Sequence, residues 1–290
     1  MAPVDLDPLV EPWRSGIMRR AFAEAFLCGA TSGALGCFVL VRRLAFLGES
    51  IAHTVLLGAV LALILGLPIG AGAVALAVMT AVLTIAMAGD RRLSADTATG
   101  ILLPTLFGAG VALLAIADLG TRRLEDLLFG SILGTGNGDL LLALAVGAAV
   151  VSTFALAGKE LVLVAFDRPT ARALGYRVVL LDVLLLVLVA LAIVVGLRAV
   201  GSVLVAGLLL GPPVAARALC RTFWPMVATG AALGAGSGVA GLYATWYLDV
   251  GAGPAIVLVV ATVFLLSLAG RAGRGRRIEQ EPEAPAPGIR

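Results

Sequence analysis

The chain has 290 residues, of which 60% are hydrophobic and 13% charged, with a formal net charge of +3 and a mean hydropathy of +1.07. That balance excludes an ordinary water-soluble domain. Apolar stretches of about 20 residues recur, long enough to cross ~30 Å of hydrocarbon. The excess of basic residues calls for no nucleic acid, because it gathers in loops, as the cytoplasmic loops of membrane proteins require.

The pattern predicts an all-α polytopic membrane protein with about eight or nine transmembrane helices. Residues 1–16 form an extramembrane segment made acidic by Asp5, Asp7 and Glu11, without the basic start of a signal peptide. A single transmembrane domain follows over 17–270, with spans near 17–41, 44–66, 69–88, 98–117, 139–158, 178–196, 199–219, 225–247 and 252–269. Residues 271–290 turn Glu/Pro-rich and read as a disordered cytoplasmic tail. Arg42 with Arg43, Arg91 with Arg92, the loop holding Lys159, Arg168, Arg172 and Arg177, Arg217 with Arg221, and the arginines from Arg271 onward fall on alternate sides. Placing them all in the cytoplasm puts the N-terminus outside and the C-terminus inside. Arg122 and Arg123 are the exception, offset by Asp118, Glu125 and Asp126. If the first stretch does not span, the N-terminus moves inside. Gly230, Gly234 and Gly238 form a small-residue ladder that suits close helix packing. No Walker A motif or strand-rich stretch leaves room for a nucleotide-binding domain.

Within the second span stands Gly48-Glu49-Ser50-Ile51-Ala52-His53, which holds the chain's one histidine. Glu49 and His53 are spaced i,i+4 and share a helix face. A carboxylate at mid-membrane costs about 2.5–3.5 kcal/mol on insertion scales, so its presence calls for a function. Carboxylate oxygen beside imidazole nitrogen suits a divalent transition metal such as manganese, zinc or iron. The plainer alternative is a hydrogen-bonded pair that joins helices, worth about 0.6 kcal/mol. Ser50 lies about 100° around the helix and reads as packing. Asp182 and Arg198 sit near span ends and can snorkel, while Glu24 reads as a residue that can face a cavity.

Two interruptions stand out. In 166–175, Asp167 can cap a short helix, Pro169 suits its first turn and Gly175 can end it. Such a helix reads as a cytoplasmic docking element or as a helix lying among lipid headgroups. The second is Gly211-Pro212-Pro213, where two prolines remove two backbone donors and predict a broken helix. A half-helix ending there would aim its carbonyls at a polar cavity, favourable for a cation. A simple kink that shapes packing is the alternative.

Four segments together resemble the membrane permease subunit of the zinc, manganese and iron class of ATP-binding-cassette importers. Gly48-Glu49-Ser50-Ile51-Ala52-His53-Thr54-Val55-Leu56-Leu57-Gly58 is similar to that family's Gly-Asp-Ala-Leu-Ser-His-Ala-Val-Leu-Pro-Gly run. Leu127-Leu128-Phe129-Gly130-Ser131-Ile132-Leu133 is similar to its Leu-Phe-Gly-Asn-Ile-Leu stretch. Val200, Gly201, Leu204, Leu209, Pro212 and Ala216 follow its Val-Gly…Leu…Pro…Ala segment, and Phe166, Asp167, Ala171 and Gly175 its coupling helix. Glu49 in place of aspartate, Ala52 in place of serine, Leu57 in place of proline and Pro169 in place of glutamate are departures.

The resemblance implies a transport subunit rather than an enzyme, moving manganese, zinc or iron across the cell membrane through Glu49 and His53. It implies a second copy of the permease, cytoplasmic ATPase subunits that bind ATP and dock on Asp167, Ala171 and Gly175, and an extracellular metal-binding protein. A permease for a metal chelate is the nearest variant. A secondary carrier driven by protons or sodium would need more intramembrane acids and histidines. A metalloprotease would need a second histidine in a His-Glu-x-x-His arrangement.

Overall fold

The computed structural model describes residues 11–88, 94–117, 136–200, 202–248 and 250–279. The 127–133 motif, Arg91 and Arg92, Arg122 and Arg123, Gly201, Asp249 and the two chain ends lie outside the described residues. So do the side chains of Arg198, Val200 and the arginines from Arg271 onward.

A 3-10 turn, Glu11–Arg14, precedes α1 (Gly16–Val41), α2 (Ala45–Ile64), α3 (Ile69–Ala88) and α4 (Ala95–Ile116). Then come α5 (Asn137–Phe166), the six-residue α6 (Arg168–Ala173), α7 (Val178–Val200), α8 (Ser202–Leu219), α9 (Phe223–Leu248) and α10 (Ala252–Glu279). Among the described residues, eight of these helices are long and apolar enough to cross a membrane. The ninth expected span is α8, whose 18 residues extend about 27 Å at 1.5 Å per residue. Lipid supplies no backbone partners, so a helix that satisfies its own N–H and C=O groups is the form such segments must take.

α1 is the central helix, packed on α5, α7, α8 and α9. Its most extensive crossing is with α9 and follows from composition: a Cβ on Gly29 would overlap the Gly234 carbonyl, and one on Gly33 the Gly230 carbonyl. The ladder expected on α9 therefore faces α1, where missing side chains let the backbones meet. Around Phe38 on α1, the rings of Phe154, Phe223 and Trp224 fill the centre at 4.7–6.5 Å between centroids. α2 is clasped by α3, where Gly58 meets Gly72 and the hydroxyls of Thr54 and Thr80 lie 3.0 Å apart. α4 covers the outer side of α2, with Gly110 against the Leu57 backbone.

Three expectations change. α8 is not broken at Gly211-Pro212-Pro213, because both prolines lie inside one continuous helix. They strip the helical donors from the carbonyls of Leu208 and Leu209. The Leu209 carbonyl is set against Gly36 of α1, and the ring of Pro213 packs on the same glycine. Helix packing across a residue without a side chain thus holds the segment helical. α5 continues through Lys159 and Glu160 to Phe166, so that charged stretch is helix rather than loop. Its residues are good helix formers, and no proline or glycine stands between Lys159 and Phe166. α10 likewise runs past position 270 to Glu279, through arginines that favour the negative end of a helix.

Candidate metal site

α2 begins at a tightly specified turn. Leu44 donates its N–H to the Val39 carbonyl at 2.9 Å and Arg43 donates to the Leu40 carbonyl at 3.1 Å, the paired bonds of a Schellman motif. Arg43 takes the left-handed position with φ +56°, normally a glycine's place. Leu44 and Leu47 are buried, which fixes the direction in which α2 leaves the turn.

One turn further on, Glu49 Oε1 lies 3.0 Å from His53 Nε2. The Glu49 side chain is 42% exposed and that of His53 22%, so the pair sits on the outer side of α2. The imidazole is held from one side by the Phe107 ring of α4, edge-on at 5.4 Å between centroids and 70° between planes. Phe107 itself leans on Leu56, Val60 and Leu114. Among the described residues His53 Nδ1 is buried without a hydrogen-bond partner, as is Ser50 Oγ on the inward side of the helix. The i,i+4 spacing brings a carboxylate oxygen and an imidazole nitrogen to one spot. Among the described residues no group of three or more His, Cys, Asp or Glu side chains converges.

The other expected residues lie elsewhere. Gly211 faces Val260 of α10, and Pro213 faces Gly36. α8 nevertheless reaches the site helix, because the Leu209 side chain packs on Gly48, next to Glu49. Glu24 is buried and lines a cleft of about 590 Å³ with Asp139, Pro68 and Leu191, between α1, α3, α5 and α7. That cleft borders the α2–α3 turn, the end of the bundle opposite Arg42.

α6 has the expected punctuation. Asp167 accepts from the Thr170 hydroxyl at 2.6 Å and from its N–H at 3.0 Å. Those hydrogen bonds hold its carboxyl below the ordinary value of 3.8. Ala171 is fully buried against Val164 and Val178, and Gly175 takes φ +83° to end the turn. Two faces result: Ala171 pins α6 to the bundle, and the exposed side is free to be covered.

One residue was misjudged from sequence. Asp182 of α7 does not snorkel. Its side chain is 7% exposed and pairs with Arg42, itself 5% exposed, at the end of α1. Arg168 of α6, 49% exposed, reaches the same carboxylate at 3.1 Å. The available signal was an acid inside the chain's most hydrophobic span, since a buried charge without a counter-charge is too costly to keep.

Comparison with known proteins places this architecture. The chain is 32% identical over 250 residues to the manganese import system permease protein ScaB of Streptococcus gordonii, covering 86% of this chain and 90% of that one. It is 32% identical over 258 residues to the chelated iron transport system membrane protein YfeD of Yersinia pestis, covering 89% and 86%. The structure of PsaBC from Streptococcus pneumoniae in complex with Fab superposes with a TM-score of 0.80 at 30% identity, covering 91% of this chain and 95% of that one. With its apolar helices, the chain is a multi-pass protein of the cytoplasmic membrane. The match to a family model over residues 14–271 takes in all eight candidate membrane spans, and the chain belongs to the ABC 3 transport family.

Proposed function

We infer that this chain is the permease subunit of an ATP-driven importer of divalent transition-metal ions, with Glu49 and His53 as the ligands that pass the ion through the membrane. The observation that carries this reading is the 3.0 Å approach of Glu49 Oε1 and His53 Nε2 on the open side of α2. Manganese and iron are the cargoes named for the relatives. An oxygen and a nitrogen donor accept either, and accept zinc as well.

One chain offers two ligands, too few for a closed four-ligand site. A second copy that brings its own Glu49 and His53 to the same spot completes the set. The half-exposed placement of the pair supports that homodimer. A site assembled from two subunits can bind and let go as they move, which transport requires. ATP hydrolysis belongs to separate cytoplasmic subunits that dock on the exposed side of α6, around Asp167, Ala171 and Gly175. An extracellular binding protein delivers the ion to the far end, where Glu24 and Asp139 line their cleft.

The test is uptake into liposomes by the chain reconstituted with its ATPase, across manganese, zinc and iron. ATP-dependent uptake of at least one ion is expected, abolished by His53→Ala in protein that still inserts and assembles. Uptake that ignores ATP and follows a proton gradient would establish a secondary carrier instead. Uptake of a chelate but of no free ion would give the cargo as the complex.

A further inference from the structure

Asp182 is the meeting point of three elements that the transport cycle must move together. Its carboxylate takes Arg42 from the end of α1 and Arg168 from α6 while it stands on α7. Arg168 NH2 lies 3.1 Å from one carboxylate oxygen and 3.3 Å from the other. The side chains of Asp182 and Arg42 are buried, and that of Arg168 is half in solvent. Hub and arm are thus physically different: one pair is locked inside the bundle, the other reaches it from a six-residue surface helix.

Arg42 is also well placed to pass a displacement on. It caps α1, and the Schellman turn of Arg43 and Leu44 follows it directly. Ala45 then opens α2, one turn before Glu49. That turn has no slack, because its two bonds and the buried Leu44 tie it to the last turn of α1. The cluster is not set in solid core, however. Arg42, Arg168, Arg172 and Asp182 line one side of a cleft of about 360 Å³ that also borders Thr84 and Ala88 of α3. Two guanidinium groups, of Arg42 and Arg168, meet the one carboxylate there, and the Arg168 arm can shift in the cleft without opening the bundle. The other anchor of α6, Ala171 among Val164 and Val178, is apolar and non-directional. The ion pair is the directional one.

We propose that Arg168, Asp182 and Arg42 form the mechanical link between the docking helix and the metal-bearing helix, so that movement of α6 on its ATPase is delivered through Asp182 to the α1–α2 turn and on to Glu49 and His53. All three are positioning residues that touch neither metal nor nucleotide. The proposal rests on the importer reading given above.

Uptake and ATP hydrolysis are measured side by side in the reconstituted complex. Arg168→Ala removes only the half-exposed arm and leaves the buried pair intact. Its ATP hydrolysis stays near the parental rate while ions moved per ATP fall about tenfold, the size of a typical coupling between sites. Arg168→Lys, which keeps the charge, restores much of the loss. Asp182→Asn gives the same uncoupling. Parental ions per ATP in Arg168→Ala would overturn the link, and so would a proportional fall of both activities. A parent complex with no ATP-dependent uptake at all would overturn the importer reading itself, an outcome distinct from either.

Discussion

At the scale of single residues, the proposed metal site depends as much on Phe107 as on its two ligands, Glu49 and His53. Among the described residues the buried Nδ1 of His53 has no partner, so with Nε2 turned to a metal no hydrogen bond would fix the ring, and metal-bound histidines ordinarily rely on one. The edge-on ring of Phe107 takes over that task. Phe107→Leu keeps apolar volume beside Leu56 and Val60 and costs below about 1.5 kcal/mol of stability. It removes an aromatic contact worth about 0.5–1.5 kcal/mol, so the apparent affinity for the transported ion falls by up to about tenfold. The concentration dependence of uptake checks this: an unchanged half-saturating concentration would mean that the imidazole is held by something else. The Glu49–His53 pair was legible in the sequence because i,i+4 spacing is a local rule. Phe107 was not, because it arrives on another helix. Asp182 was misread for the same reason, since its buried partner Arg42 is 140 residues away. An acid flanked only by leucine and valine gives no local hint of which charge meets it.

At the scale of elements, hydropathy gave the helices and composition gave one of their interfaces, while the course of α8 depended on a neighbour. Two prolines in sequence predict a break, and only the presence of Gly36 opposite the Leu209 carbonyl explains why none occurs. The α1–α9 interface shows how sharply position matters along a single helix. A Cβ at Gly234 would overlap the backbone carbonyl of Gly29, whereas one at Gly236 meets nothing within 4 Å. Gly234→Val must push two helix backbones apart, at a cost of about 3 kcal/mol or more. Gly236→Ala removes backbone freedom from the unfolded chain and stabilises by about 0.5–1 kcal/mol. Thermal unfolding in detergent should therefore shift in opposite directions for substitutions two positions apart. Equal shifts would mean that α1 and α9 do not cross at Gly29 and Gly234.

At the scale of the whole molecule, the question is what completes a half-built site. Among the described residues, Glu49 and His53 are joined by no third His, Cys, Asp or Glu, and the pair looks outward from α2. α2 is already covered by α3 and α4 on neighbouring sides and reached by α7 and α8 on others. With no further ligand among the described residues, water or another copy can complete the set. Two copies supply two oxygens and two nitrogens, a four-donor set of the kind that holds transition metals. The proposed dimer predicts a stoichiometry: the purified chain should bind one ion per pair of chains, and binding should track the dimer. Light scattering for mass with metal analysis on the same peak measures both. Mixing parent chains with His53→Ala chains sharpens the test, because a mixed dimer keeps only three of the four donors and binds more weakly than the parent. One ion per chain on a monomer would show instead that water fills the remaining positions, and that each permease carries its own site.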